Sequence, residues 1–300
     1  MSKESFKILE RRYGKSFVKL FHVERRGDIH TAREYEVNTF LTLAREIDYI
    51  EGNNEDVIAT DSQKNTVYLL AKQHGVESPE SFASVIVSHF LKKYPGNVVK
   101  ATAEVEECVV WKRMQGSHAH AFNADTSAIH FCKVTQSAGE KDQQISGGLK
   151  NYRILKTTKS SFVNFLDDEY RSLPSMDDRI FSTVVESEWE YKSGSPMSPR
   201  QYHEVFQKII NLIDEGFSGD PKEGIASPSV QQTMYLCQCS ILSDIPSISK
   251  ISMKMPNKHY FSINLSKFKE FVGGTSDNND VFLPVDKPSG IIECTIGRDS

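Results

Sequence analysis

Long apolar runs are missing from this 300-residue chain. No stretch approaches the roughly 20 consecutive apolar residues of a membrane span, so a membrane partner is not expected. Cysteine is scarce and unpatterned. Cys108, Cys132, Cys237, Cys239 and Cys294 form an odd, scattered set, which reads as reduced thiols in an intracellular protein and not as a disulfide framework. An excess of one charge is also missing. The 36 Lys and Arg face 40 Asp and Glu, for a net charge of −4 with no basic stripe, which makes nucleic acid a poor candidate as partner. There is no glycine-rich phosphate loop and no Gly-x-Ser-x-Gly elbow. The start, Met-Ser-Lys-Glu-Ser-Phe-Lys, is too polar for a secretory signal. With 38% hydrophobic and 25% charged residues, the expectation is a soluble globular protein of about two domains.

Periodicity supplies the organisation. Residues 17–23 and 33–43 alternate or run apolar between polar breaks, as a first hairpin does. Helical patterns follow at about 61–73 and at 79–93, where Pro79 suits the first turn and Phe82, Ile86 and Phe90 line one face. Strand candidates near 98–110, 118–125 and 128–136 complete a first half. Composition turns polar and glycine-bearing from Ser137 to Gly148, which places a domain junction there and predicts domains at 1–140 and 141–300. The second half repeats the order. Ile154–Thr157 and Phe181–Trp189 read as strands, and Phe206, Ile210, Ile213 and Phe217 make a helical stripe over 201–217. A loop is expected at 193–200. Ser227 and Pro228 read as N-cap and first helical residue of a second helix carrying Val230, Met234, Cys237 and Ile241. Strands near 248–255, 259–265 and 291–296 close the chain. Thr60–Tyr68 also aligns with Ser227–Tyr235, keeping hydroxyl residues, a threonine and a tyrosine in step. The predicted class is α+β: two copies of a strand pair, two helices and a strand pair, with helices on one face of each antiparallel sheet.

The stretch Val57 to Tyr68 holds the first candidate site. An apolar run stops at Thr60, a good N-cap, and Gln63 stands where a capping box wants Glu or Gln. Thr60 and Asp61 thus fall at a strand-to-helix junction, whose free amides and positive helix end suit an anionic ligand. An ordinary capped surface helix explains the same residues. Metal is not expected. His118 and His120 would share a strand face but lack a ligand partner at recognisable spacing, and Cys237 and Cys239 sit two apart in a helix, facing different ways. The remaining candidates are dispersed. Lys15 follows Tyr13-Gly14 before a strand; Leu155–Phe162 carries three polar pairs ending on an aromatic; Arg179 precedes the strongest strand of the second half; and Asn257 and His259 stand two apart. Taken singly, each also fits a structural or solvated role.

Together these stretches resemble the urate oxidase (uricase) family. The resemblance runs from Tyr13-Gly14-Lys15 to Gly290–Arg298, through Ala59–Thr66, His118–Phe122, Leu155–Phe162, Arg179, Ser227–Gln231 and Pro256–Phe261. It implies the tunnelling fold, with tandem ββααββ units assembled as a homotetramer whose sheets join into a barrel. It implies urate and dioxygen as substrates, no metal or organic cofactor, and 5-hydroxyisourate and hydrogen peroxide as products.

The resemblance also assigns roles. Arg179 would offer a two-pronged donor pair to one edge of the purine. Gln231 would bind the pyrimidine edge with help from the Val230 amide, and Phe162 would stack on the ring. Thr60 and Asp61 would arrive from a neighbouring subunit at the five-membered ring. Lys15 would act as base through the Thr60 hydroxyl and a water, with His259 joining the relay and Asn257 helping to hold dioxygen above the ring. Two other readings use the same pocket: a purine-binding protein without catalysis, and a pterin-handling enzyme, whose hydrolase members generally use zinc. Kinship implies a peroxisomal location, although the chain ends Gly297-Arg-Asp-Ser300 without a Ser-Lys-Leu address; a cytoplasmic location is the alternative.

Overall fold

The computed structural model describes residues 6–194, 197–273 and 278–299. The chain runs through strands β1 (Tyr13–Arg26) and β2 (Ile29–Leu43), a short helix α1 (Ile47–Ile50), helices α2 (Thr60–His74) and α3 (Pro79–Lys93), and strands β3 (Val98–Arg113), β4 (Phe122–Asp125) and β5 (Ile129–Ser137). It continues with β6 (Gln144–Lys156), β7 (Phe181–Tyr191), α4 (Pro199–Ser218), α5 (Val230–Asp244), β8 (Ile248–Ser262), β9 (Phe282–Val285) and β10 (Ile291–Gly297). Setting aside α1, β4 and β9, the order strand–strand–helix–helix–strand–strand occurs twice, as the periodicity predicts. The chain divides into two compact units. One takes in residues up to Leu149 with Glu188–Gln207 and Ser247–Ser249, and the other holds the remainder.

In the first unit the strand order is β1-β2-β3-β5, with β4 paired to β3. β1 pairs with β2 alone and is the edge. Alternation decides which face of β2 is covered: Tyr35, Val37, Thr39, Leu41 and Leu43 are all buried, one residue in two. Helix α3 lays Phe82, Ala83, Ile86, Val87 and Phe90 onto this sheet. Its start is well specified, since Ser78 and Ser81 form a reciprocal cap and Pro79 supplies the first turn. Each large apolar side chain buried here contributes about 1.5–3 kcal/mol relative to exposure, so the helix is held by its packed face more than by propensity. A buried polar pair lies in this unit, with His130 Nε2 2.9 Å from Glu80 Oε1.

In the second unit β8 stands between β7 and β10 and also carries β9. Helix α4 buries Ile209, Ile213 and Phe217, and α5 buries Val230, Met234, Cys237 and Ile241. Phe217 meets Phe181 of β7 with ring centroids 4.9 Å apart. Gly216 lets the two helices approach, because a Cβ there would stand 2.6 Å from Cys237 Sγ. All five cysteines are free thiols. No described helix is long and apolar enough to cross a membrane.

Several local expectations differ from the structure. The strand expected over 118–125 shrinks to β4, and His118 sits in a turn where its Nδ1 accepts from the Ala121 amide at 3.0 Å. The two histidines therefore do not share a strand face. The strands expected at 248–255 and 259–265 are one long β8. The expected loop at 193–200 lies partly outside the described residues. The alignment of Thr60–Tyr68 with Ser227–Tyr235 matches α2, the first long helix of its series, to α5, the second of its own. Element order instead pairs α3 with α5, both entered through a serine whose side chain caps the helix. The match is local and does not mark a topological equivalence.

Candidate functional site

The first unit holds Lys15, Thr60 and Asp61. Lys15 lies on β1 in register with Thr39 of β2. The residue before it, Gly14, faces the Thr39 carbonyl so closely that a Cβ would stand 1.7 Å from its oxygen; only glycine allows the strands this approach. The residues after it form a bulge, where the register slips between Lys15 and Val18 and Phe17 adopts φ 60°. The Phe17 amide is taken up by Asn38 Oδ1 at 2.8 Å. Bulges re-aim side chains beside functional sites, and this one follows Lys15 directly.

The start of α2 corrects the expected cap. Ala59, not Thr60, is the N-cap, and no side chain caps the helix. Gln63 does not reach back as in a capping box. It is fully buried, donates from Nε2 to the Ile58 carbonyl at 3.2 Å, and accepts from the Thr39 hydroxyl at 2.9 Å. The Ile58 amide donates to the Tyr13 hydroxyl at 2.9 Å. Burial pushes the Tyr13 phenol up to about 12, against the pull of that amide. These bonds pin the entry of α2 to the strand pair carrying Lys15.

Thr60 and Asp61 are exposed in the first turn. Asp61 pairs with Lys64 Nζ at 2.6 Å and accepts from Asn65 at 3.0 Å. Its carboxyl is held below the usual range, first by the hydrogen bond and charge of Lys64, with smaller help from Asn65 and from the charge of Lys15.

The second unit holds Phe162, Arg179, Val230, Gln231, Asn257 and His259. Arg179 places its guanidinium carbon 5.2 Å from the centroid of the Phe162 ring. Its Nε is buried with no hydrogen-bond partner, and burial lowers its pKa. Two mutual backbone bonds, Phe162 to Met176 at 2.7 and 2.9 Å, close the loop between them. Asp178 fastens the loop further, accepting from the Thr158 hydroxyl at 2.5 Å and from the Arg179 and Ser160 amides at 3.0 and 3.3 Å. Burial works against the Asp178 carboxylate, yet these bonds hold its pKa below 3.8.

The same loop is tied to the start of α5. The Ser161 amide donates to the Ser227 carbonyl at 3.0 Å, and the Ser227 amide to the Lys159 carbonyl at 2.8 Å. Ser229, not Ser227, is the N-cap, accepting from the Gln232 amide at 3.1 Å. Ser227 is buried instead, accepting from Lys156 Nζ at 2.6 Å and from the Thr233 hydroxyl at 2.9 Å. Val230 is then buried as the first helical residue and Gln231 is exposed beside it. Phe162, Arg179, Val230 and Gln231 are thus brought together by one strapped loop and one capped helix. Asn257 and His259 lie on β8. The Asn257 amide donates to the Gly290 carbonyl at 2.8 Å, and the His259 ring stacks on Phe261 with centroids 5.5 Å apart.

Sequence reasoning missed the supporting residues. Thr39 and Asp178 lie next to, or in register with, site residues and carried no motif signal. Gln63 was singled out with the wrong partner. Among the described residues, no group of three or more His, Cys, Asp or Glu side chains is placed to hold a metal ion.

Comparison with known proteins bears on this arrangement. The family model described as Uricase matches residues 11–135 and 145–293. The chain is 46% identical to a uricase of Drosophila subobscura, with 98% of this chain and 91% of that protein covered. It is 37% identical to the uricase of Oryctolagus cuniculus, over 98% of this chain and 96% of that one. Among solved structures, the uricase from Arthrobacter globiformis superposes with a TM-score of 0.88 at 30% identity, covering 99% of this chain and 96% of the other. A matched family model across most of the chain, together with full-length relatives well above 30% identity, is decisive: the chain belongs to the uricase family.

Proposed function

We propose that this chain is a urate oxidase, converting urate, dioxygen and water to 5-hydroxyisourate and hydrogen peroxide. The observation that carries the reading at the level of the site is Arg179. A buried Nε without a partner, on a guanidinium whose carbon lies 5.2 Å from the centroid of the Phe162 ring, suits a flat heterocycle that accepts two parallel hydrogen bonds. Phe162 stacks on the ring, Arg179 grips one edge, and Gln231 with the Val230 amide grips the other. An amide side chain offers one acceptor and one donor, which matches a lactam edge.

The chemistry then follows from the substrate. Urate that has lost a second proton is electron-rich and gives two electrons to dioxygen. Two protons complete hydrogen peroxide, and water adds to the oxidised ring. No resident cofactor is used in this reading. Lys15 takes the proton through the Thr60 hydroxyl and a water, Asp61 helps hold the five-membered ring, His259 extends the relay, and Asn257 holds dioxygen or water above the ring. The exposed Thr60 side chain, standing in the first turn of an uncapped helix, supports its assignment as a relay.

In this proposal Thr60, Asp61 and Lys15 meet the other residues across a subunit boundary, in a homotetramer whose sheets close a barrel. The two ββααββ units, set at 1–140 and 141–300, are repeats of one plan. The location is peroxisomal, which fractionation of the source cells would check. The direct test mixes the purified protein with urate under air, without added metal, and follows urate absorbance and peroxide. Turnover is expected. A folded tetramer that binds urate without consuming it would instead establish a binding protein.

A further inference from the structure

The Lys15–Thr60 relay is only as good as the distance between its two ends, and those ends sit on different elements. Lys15 is on β1, and Thr60 begins α2. Two hydrogen-bonded struts tie the β1–β2 strand pair to the start of α2, one on each side of Thr60. The first runs from Tyr13, two residues before Lys15, to the amide of Ile58, two residues before Thr60. The second runs from Thr39, the register partner of Lys15, to Gln63, three residues after Thr60. Gln63 then returns to the Ile58 carbonyl, so one side chain closes both struts into a ring. Thr39 and Gln63 are both fully buried. Their amide and hydroxyl groups are mutually satisfied, and such a buried network is rigid as long as every member is paired.

We infer that Gln63 is a positioning residue: wedged between the Thr39 hydroxyl and the Ile58 carbonyl, it sets the reach from the Lys15 ammonium to the Thr60 hydroxyl. The inference rests on the reading of Lys15 and Thr60 as the proton relay. It goes beyond that reading by assigning a function to a residue that touches neither substrate nor the reacting atoms. A buried glutamine is otherwise a poor choice beneath a helix whose neighbouring inward positions, Val67, Leu70 and Ala71, are apolar. An apolar residue there would fill the space, but would leave the helix start free to shift against the strand.

The test uses the full protein and the double variant Thr39→Val with Gln63→Met. Removing both side-chain partners together leaves neither of them buried and unpaired, and only the Ile58 carbonyl loses a donor. Misplacement of about 1 Å in such a relay costs up to about 100-fold. The double variant is expected to lose about tenfold or more in kcat with urate, while KM stays within about twofold and the unfolding midpoint stays near that of the parent. The second arm adds Lys15→Met to both backgrounds. If Gln63 acts through the relay, the double variant costs nothing further once Lys15 is gone, a non-additivity that a merely structural role does not produce. Restoring Gln63 alone in the Thr39→Val background should recover part of the rate through the Ile58 strut.

An unchanged kcat in the double variant, with Lys15→Met still severely impaired, overturns the positioning role and leaves the relay intact. Equal fractional losses in the two backgrounds overturn it as well. A Lys15→Met protein that keeps the parental rate overturns the relay reading itself, and the positioning role falls with it.

Discussion

The starts of α2 and α5 both carry proposed site residues, and they are built in opposite ways. The α5 start is closed: Ser229 caps it, Ser227 is buried under Lys156 and Thr233, and the loop bearing Phe162 is strapped to it. The α2 start is open: Ala59 offers no cap, and Thr60 and Asp61 face solvent in its first turn. It is tied from beneath, through hydrogen bonds of Gln63 and Tyr13. The difference suits the two tasks proposed for them. Recognition of a flat ring needs donors whose positions do not change, while proton transfer needs a hydroxyl whose hydrogen bonds are still available.

That contrast can be broken at its most sensitive point first. Lys15→Met or Thr60→Ala should lower kcat by about 10²–10⁴-fold, the range of a lost general base, with urate binding by calorimetry largely preserved. Arg179→Ala addresses the other side and should act mainly on affinity. Hydrogen bonds to a charged group are worth about 1.5–3 kcal/mol, so KM or Kd should rise roughly tenfold to a hundredfold. A variant of Arg179 that changes kcat alone would mean that the two helix starts do not divide the work in this way.

Capping sharpens the comparison at a smaller scale. Ser229→Ala should destabilise by about 1 kcal/mol, and Ala59→Ser should add a few tenths to about 1 kcal/mol by supplying the missing cap; thermal unfolding reads both. The smallest effect concerns pH. Asp178 is held below its ordinary 3.8, so its contribution to stability is complete above that value and is lost as pH falls through the lower folded pKa. Asp178→Asn should therefore be less stable than the parent at about pH 6, with the two converging at about pH 2, as followed by denaturant unfolding. Asp61 is also held low, so its contribution has the same sign, but its partners lie on its own exposed helix face and the effect should be smaller.

How far the site was legible depended on the kind of signal. The span of α3 was readable to the residue, because serine, proline and an apolar stripe all agree there. At α2 the same logic failed by one position. Threonine at a strand-to-helix junction looks like a cap, but Gln63 is drawn inward by Thr39, and no local rule describes a partner 24 residues away. At α5 the serine chosen as cap was needed in the core, where Lys156 arrives from a distant strand. His118 and His120 looked like neighbours on a strand, while the chain turns there and spends one ring on backbone amides. Arg179 and Phe162 were legible only through motif resemblance. Their contact depends on the loop closed by Met176 and Asp178, which carried no signal of its own.

What the sequence by itself determined is the plan: alternation of period two and stripes of period 3.6 specify which segments become strands and helices, in which order, and which face of each is buried. These are local consequences of backbone geometry and burial. What only the tertiary structure decided is the use of the polar residues. A hydroxyl or an amide has several partners of similar energy nearby, and the choice among them is made by whichever strand or loop the packed core brings within about 3 Å. Thr60 stays exposed at a helix start that Gln63 and Tyr13 hold from below, and that arrangement exists only once β1, β2 and α2 have come together.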